Sequence, residues 1–170
     1  MLSLLLKKAL WGGVLTGLVC GILFFLLKKM GFSPLEQQRF VYLPLYFVGI
    51  VLTLRFFAIE SQQGVIPHWQ SLTISLIVNL LAALVYAFLV GVFLEIFAQW
   101  LSEHQAALVA KVQKDLSQAD EANDKKLYAS LLEDVRKVGF FDVIIDIWLK
   151  TSLIGFVMAM GAGIVFRKYK

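Results

Sequence analysis

Apolar residues come in four long runs, at 9–27, 40–59, 72–97 and 144–166, separated by two short polar stretches and one long charged one. Each run is roughly the 20 residues that a helix needs to cross a hydrocarbon core about 30 Å thick. The pattern therefore predicts four transmembrane helices. The fourth run begins least cleanly, because Asp146 and Lys150 lie in its first two turns. They are spaced i, i+4 with the acid first, the better order for a helical ion pair, and lie close enough to the end of the run to reach the interface. The charged stretch, about 99–140, has a helical pattern of its own. It lacks Gly and Pro from 99 to 116, and Ser117-Gln-Ala-Asp120 resembles a capping run. Beyond that run, Leu127, Leu131, Val135 and Val138 fall at helical spacing, as do Tyr128 and Leu132. This predicts a helical hairpin outside the membrane, with the third span running on into its first arm and Gly139-Phe-Phe141 marking the re-entry. Arms of about 16 residues would reach roughly 24 Å. The fold class is an all-α membrane protein, residues 1–170 forming a single membrane domain. It has four transmembrane helices and an extramembrane helical hairpin between helices 3 and 4.

The spans are not featureless. Ser75, Asn79, Ala83, Ala87, Gly91 and Glu95 form one i, i+4 stripe on the third. An amide and a carboxylate in an apolar helix are costly against lipid and should face other helices or water. Small residues recur at four-residue intervals in three spans: Gly13, Gly17 and Gly21; Ala83, Ala87 and Gly91; Gly155, Ala159 and Gly163. Such repeats let neighbouring backbones approach closely. Internal packing of a four-helix bundle is the expectation, ahead of a homodimer interface. Glu95, Lys150, Asn79 and Asp146 are the possible intramembrane polar site. A structural Glu95–Lys150 ion pair is the first reading, because pairing is the cheap way to hold either charge there. The alternative makes Glu95 a proton- or cation-coupling carboxylate facing a water-filled cavity. Asn79 is read as interhelical hydrogen-bond glue, and Arg55 as snorkelling toward Glu60.

The turns support these boundaries. Gly31 after Lys28-Lys29 is a helix stop, Pro34 can open a helical turn, and Pro44 sits where a first-turn proline is tolerated. Gly64 and Pro67 are turn residues of the second loop, which also holds His68. Trp69 is placed like an interfacial anchor, Trp100 and Trp148 like a matching pair at the opposite interface, and Trp11 near the start of the first span.

Composition narrows the chemistry. With 59% hydrophobic residues and a mean hydropathy of +0.78, the chain is too apolar for an ordinary soluble domain. The first run is longer than a signal-peptide core and ends in Lys28-Lys29 without an Ala-x-Ala-like site, so retention as a helix is expected. Cys20 is the sole cysteine, which excludes an intrachain disulfide and a cysteine-based zinc site. The formal charge of +4 gathers at the span flanks and is no nucleic-acid signal. His68 and His104 lie in separate loops and cannot share a metal. No phosphate loop, nucleophile elbow or zinc helix is present in the sequence. The expectation is a protein that is not an enzyme and has no catalytic residues, cofactor or metal.

Orientation is a close contest. Lys7, Lys8, Arg55, Arg167, Lys168 and Lys170 share one side. Lys28, Lys29, Arg39 and the six bases of the long loop share the other. The positive-inside rule discounts the centre of long loops, and the basic tail then favours both termini inside.

The turn Phe57-Ala-Ile-Glu-Ser-Gln-Gln-Gly64 is followed by Ser71-Leu-Thr-Ile-Ser-Leu-Ile-Val-Asn79-Leu-Leu-Ala-Ala-Leu-Val-Tyr86. With the long charged helical loop and the basic tail, these stretches resemble the bacterial domain-of-unknown-function family four-one-nine-nine. The resemblance covers essentially the whole chain, although Pro67-His68 departs from the family's usual loop. It implies a bacterial inner (cytoplasmic) membrane protein with four helices, and no substrate, cofactor or catalytic residue. The leading functional expectation is a non-enzymatic accessory, assembly or scaffolding subunit in the lipid bilayer, with a protein partner or a second copy of itself. The alternative is a small oligomeric transporter or lipid-linked-substrate carrier using Glu95 and Asn79.

Overall fold

The structure, a computed structural model, describes residues 2–35, 41–61, 66–118 and 122–165. Among them lie six α-helices and no strand: α1 (Leu2–Lys29), α2 (Leu43–Glu60), α3 (His68–Ile96), α4 (Ala98–Gln118), α5 (Ala122–Arg136) and α6 (Phe140–Val165). Four of them, α1, α2, α3 and α6, are long and apolar enough to cross a membrane, with 28, 18, 29 and 26 residues.

Helix ends follow local chemistry more closely than the apolar runs do. α1 begins seven residues before its run, because Leu2-Ser-Leu-Leu-Leu-Lys-Lys8 consists mostly of helix formers whatever its charge. It stops at Gly31, whose φ is +85°. There the Phe32 N–H reaches the Leu27 carbonyl at 3.0 Å and the Gly31 N–H reaches Lys28 at 3.1 Å, a Schellman closure. Pro44 sits in the first turn of α2, where its missing N–H costs nothing. His68 is helical rather than part of the loop: the Pro67 carbonyl accepts from Gln70 and Ser71 and so starts α3 at His68. Gly64 lies outside the described residues. α6 starts at Phe140, four residues before its apolar run, because the Asp142 carboxylate accepts the Gly139 N–H at 2.7 Å. An acid three residues into a helix that reaches back to the capping N–H is half of a capping box.

The helices form two compact units. The first contains α1, α2, α3 through Val90 and α6 from Ile145. Its registers define an up-and-down four-helix bundle. α1 and α3 run parallel, with Gly13, Gly17 and Gly21 facing Leu81, Val85 and Leu89 in turn. α2 and α6 also run parallel, with Tyr42 beside Thr151 and Tyr46 beside Gly155. α1 and α2 are antiparallel, as are α3 and α6. The core includes Leu5, Tyr46, Ile50, Leu54, Phe57, Ile74, Val78 and Ala82. All round the bundle Leu, Ile, Val and Phe side chains remain exposed, among them Leu15, Ile22, Phe56, Leu84, Phe88, Leu153 and Val157.

The second unit, Gly91–Ile144, holds the end of α3, α4, α5 and the start of α6. A single turn residue, Phe97, separates α3 from α4. α4 and α5 pack against each other, and the Gln105 side-chain amide donates to the Val138 carbonyl at 2.7 Å. Its core is thin: Leu94, Trp100 and Val143 are the buried large side chains among the described residues. Trp100 is 6% exposed and stacks on Phe97 at 4.4 Å, so it packs inside this unit and is no interfacial anchor. Trp11 and Trp69, at 60% and 57%, are well exposed.

Candidate functional site

The polar atoms of the first unit converge on Asn79. The Tyr46 hydroxyl of α2 faces the Asn79 backbone carbonyl at 2.5 Å and its Oδ1 at 2.7 Å. Asn79 Nδ2 in turn donates to the Ser152 carbonyl of α6 at 3.1 Å. Asn79 is 1% exposed and Tyr46 fully buried. One turn beyond Ser152, Gly155 leaves the space that the amide fills, and a methyl placed there would collide with Asn79 Oδ1 and Tyr46. A single side chain thus joins three helices. Its amide group is used on both sides, as a buried polar group requires.

Two serines extend the seam toward the start of α3. Ser75 donates to the Ser71 carbonyl at 2.7 Å. Ser71 Oγ lies 2.8 Å from the Gly163 carbonyl and 2.9 Å from that of His68. Both serines are fully buried. Ala83 and Ala87 continue the same face, buried and apolar, and Ala159 is buried on α6. In the other direction, Tyr42 and Thr151 share a hydrogen bond of 3.1 Å, and the Tyr42 ring lies 4.9 Å from that of Tyr86.

Asp146 and Lys150 form an i, i+4 ion pair of 2.5 Å, each about half exposed. Lys150 therefore spends its charge within α6. Beside this pair lies a small cavity of about 40 Å³, lined by Pro34, Tyr42, Tyr86 and Thr151 among others. That is room for a water or two, far below the several hundred Å³ of a small-molecule site. Glu95 is exposed in the last turn of α3 and has no ion pair or hydrogen bond among the described residues. Glu60 pairs with Lys8 of α1, so this α1–α2 link takes the acid that sequence reasoning assigned to Arg55.

The small-residue repeats meet side chains of the same chain. A methyl on Gly13, Gly17 or Gly21 would lie within 2.8 Å of Leu81, Val85 or Leu89. Gly163 lies against Leu72, and Gly91, in the second unit, against Ile144. The sequence reading missed a further contact. Gly12 of α1 lies against Thr53 of α2, and Gly49 of α2 lies against Thr16 of α1. Each threonine hydroxyl bonds the glycine carbonyl four residues earlier in its own helix, at 2.7 and 2.8 Å. The repeated Gly-x-x-x-Thr spacing, Gly12 to Thr16 and Gly49 to Thr53, was the available signal. Over this crossing lies an apolar groove of about 450 Å³, walled by Leu15, Val19, Leu45, Val48, Leu52 and Phe56, with Lys8 at one end.

Among the described residues no three His, Cys, Asp or Glu side chains are grouped to hold a metal ion. A family model described as "Protein of unknown function (DUF4199)" matches residues 12–168. The chain belongs to that family. The match to DUF4199 takes in Gly12 of the α1–α2 crossing, the Asn79 junction, α1 from Gly12 onward and the whole of the other three apolar helices. No curated protein and no solved structure matches the chain.

Proposed function

We propose that the chain is a multi-pass protein of the bacterial inner membrane with both termini in the cytoplasm. In this reading it is a non-enzymatic accessory, assembly or scaffolding subunit whose α4–α5 hairpin binds a protein partner. Support for the membrane setting comes from how little of each apolar helix is covered by protein, between 22% and 44% of its most apolar segment. An apolar surface of that extent is an aggregation liability in water and an ordinary one in lipid. Asn79 supports the structural character, since its amide bonds both Tyr46 and Ser152 and leaves little for a substrate.

The observation that carries the partner is on α5. Leu127 and Leu131, one turn apart, are 57% and 40% exposed on a helix otherwise rich in charge. Adjacent apolar side chains on an amphipathic helix are the usual anchors for a groove or a second helix. A photo-crosslinker at Leu131 should trap one defined protein in cells, and Leu127→Glu with Leu131→Glu should abolish that adduct at unchanged protein level. A chain that emerges from mild detergent alone, with the double variant behaving as wild type, refutes the partner. The carrier alternative draws on the exposed Glu95 carboxylate. It requires Glu95→Gln to abolish a transport-linked phenotype, whereas the scaffold reading expects that variant to be silent.

A further inference from the structure

We propose that the groove over the α1–α2 crossing is a specific site for one phospholipid with a zwitterionic, primary-amine headgroup. The proposal rests on the reading that these helices span a bilayer. The groove's floor is set by the Gly12–Thr53 and Gly49–Thr16 contacts, which bring the helices close enough that larger side chains stand up as walls on either side. Leu15, Val48, Leu52 and Phe56 in those walls are all more than 40% exposed. Its length matches one leaflet. The eleven residue steps from Lys8 to Val19 rise about 16 Å, half of the roughly 30 Å core. The cavity of about 450 Å³ lies within the range of single small-molecule sites. A helix 10–12 Å across and of that length would need roughly 1,300 Å³ or more, so a helix of a second copy would rest on the rim rather than enter. One acyl chain fits where a helix does not.

The chemistry at the groove's end selects the headgroup. Lys8 and Glu60 form an ion pair there, with side chains 30% and 50% exposed, and Trp11 lines the same groove as Lys8, 60% exposed, as suits an amphipathic ring at headgroup level. A lipid phosphate can accept a second N–H of the Lys8 ammonium, while a primary amine four bonds from the phosphorus donates to the Glu60 carboxylate. An anionic headgroup without an amine would meet the same carboxylate as a repulsion, and a quaternary amine has no N–H to donate.

The test reconstitutes the full chain into vesicles of phosphatidylethanolamine and phosphatidylglycerol in equal parts, re-extracts it in mild detergent and reads bound lipid by native mass spectrometry. The wild type should retain about one lipid per chain, with phosphatidylethanolamine preferred at least fivefold. Leu15→Trp with Val48→Trp fills the groove from exposed positions and should lower retention at least tenfold. Leu80→Trp with Leu84→Trp, on the exposed face of α3, should leave it unchanged. Lys8→Gln should reduce retention of both lipids, whereas Glu60→Gln should erase the preference and spare the retention. Thermal midpoints in detergent identify any variant that merely misfolds. Retention unaffected by the groove-filling pair overturns the proposal, as does a wild type without headgroup preference. Dimers that disappear with Leu15→Trp and Val48→Trp would assign the face to a second copy instead. A chain that stays monodisperse without amphiphile would refute the membrane reading, a result distinct from each of these.

Discussion

Asn79 has three polar atoms within reach of neighbours, two of them facing one tyrosine hydroxyl. Because Tyr46 keeps the Asn79 backbone carbonyl when the side chain is removed, Asn79→Ala should cost about 1 kcal/mol, the range of interhelical hydrogen bonds in membranes. Thermal unfolding in detergent measures it, and a loss several times larger would mean that the amide holds more than this junction. Glycines separate into two kinds. A methyl on Gly17 would lie 2.8 Å from the Ala82 carbonyl oxygen and 2.7 Å from Val85 Cβ, whereas one on Gly161 would meet nothing within 4 Å. Gly17→Ala must move backbone against backbone and should destabilise by about 1–3 kcal/mol. Gly161→Ala should be neutral or slightly stabilising, since alanine is the better helix former. Equal melting shifts for the two would contradict the α1–α3 register.

At the level of elements, each crossing is built differently. α1 offers a glycine groove and α3 fills it with Leu81, Val85 and Leu89, shape fitting shape. α3 and α6 instead meet through small residues and hydrogen bonds to carbonyls, at Asn79–Ser152 and Ser71–Gly163. α1 and α2 exchange a glycine for a threonine twice. There the hydroxyls bond their own helices, so what crosses the interface is volume rather than a hydrogen bond. Thr16→Val with Thr53→Val should therefore change the melting point little, by less than about 1 kcal/mol, the lower part of the usual value for a hydrogen bond. Gly49→Leu, which drives a side chain into Thr16, should separate the helices and abolish the groove. If the threonine pair proves as damaging as Gly49→Leu, the hydroxyls act across the interface after all.

On the scale of the molecule, stability is unevenly distributed. The first unit buries whole faces of α2 and α3, while the second has few buried large side chains, and α5 keeps most of its described residues exposed. Local opening follows buried contacts and protected backbone. Amide hydrogen exchange in detergent should accordingly be slowest in α3 between 74 and 90 and fastest, among the helices, in α5. Binding of a partner to Leu127 and Leu131 would slow α5 selectively. If α5 in the isolated chain is already as protected as α3, its apolar positions are covered by something within the chain and the docking surface is lost.

The hydropathy of 170 residues was enough to find four apolar helices and the helical character of the charged stretch between the last two, because helix length and side-chain transfer energy are local quantities. It was also enough to place Gly31 and Pro44 at helix ends, where one residue's own backbone geometry decides. It could not say where polar partners lie. Asp146 and Lys150 were visible as an i, i+4 pair, but Tyr46 for Asn79, Lys8 for Glu60 and Ser152 for the far side of the amide are 33, 52 and 73 residues distant in the chain. On α3 the stripe of Ser75, Asn79, Ala83 and Ala87 did mark the inward face, and all four are buried, but nothing local said which neighbour that face would meet. That choice was made by volume. Glycines admit a neighbouring ridge, threonines meet glycines, and an amide needs the gap that Gly155 leaves. Packing of this kind depends on three-dimensional register among distant segments, and only the folded bundle decides it.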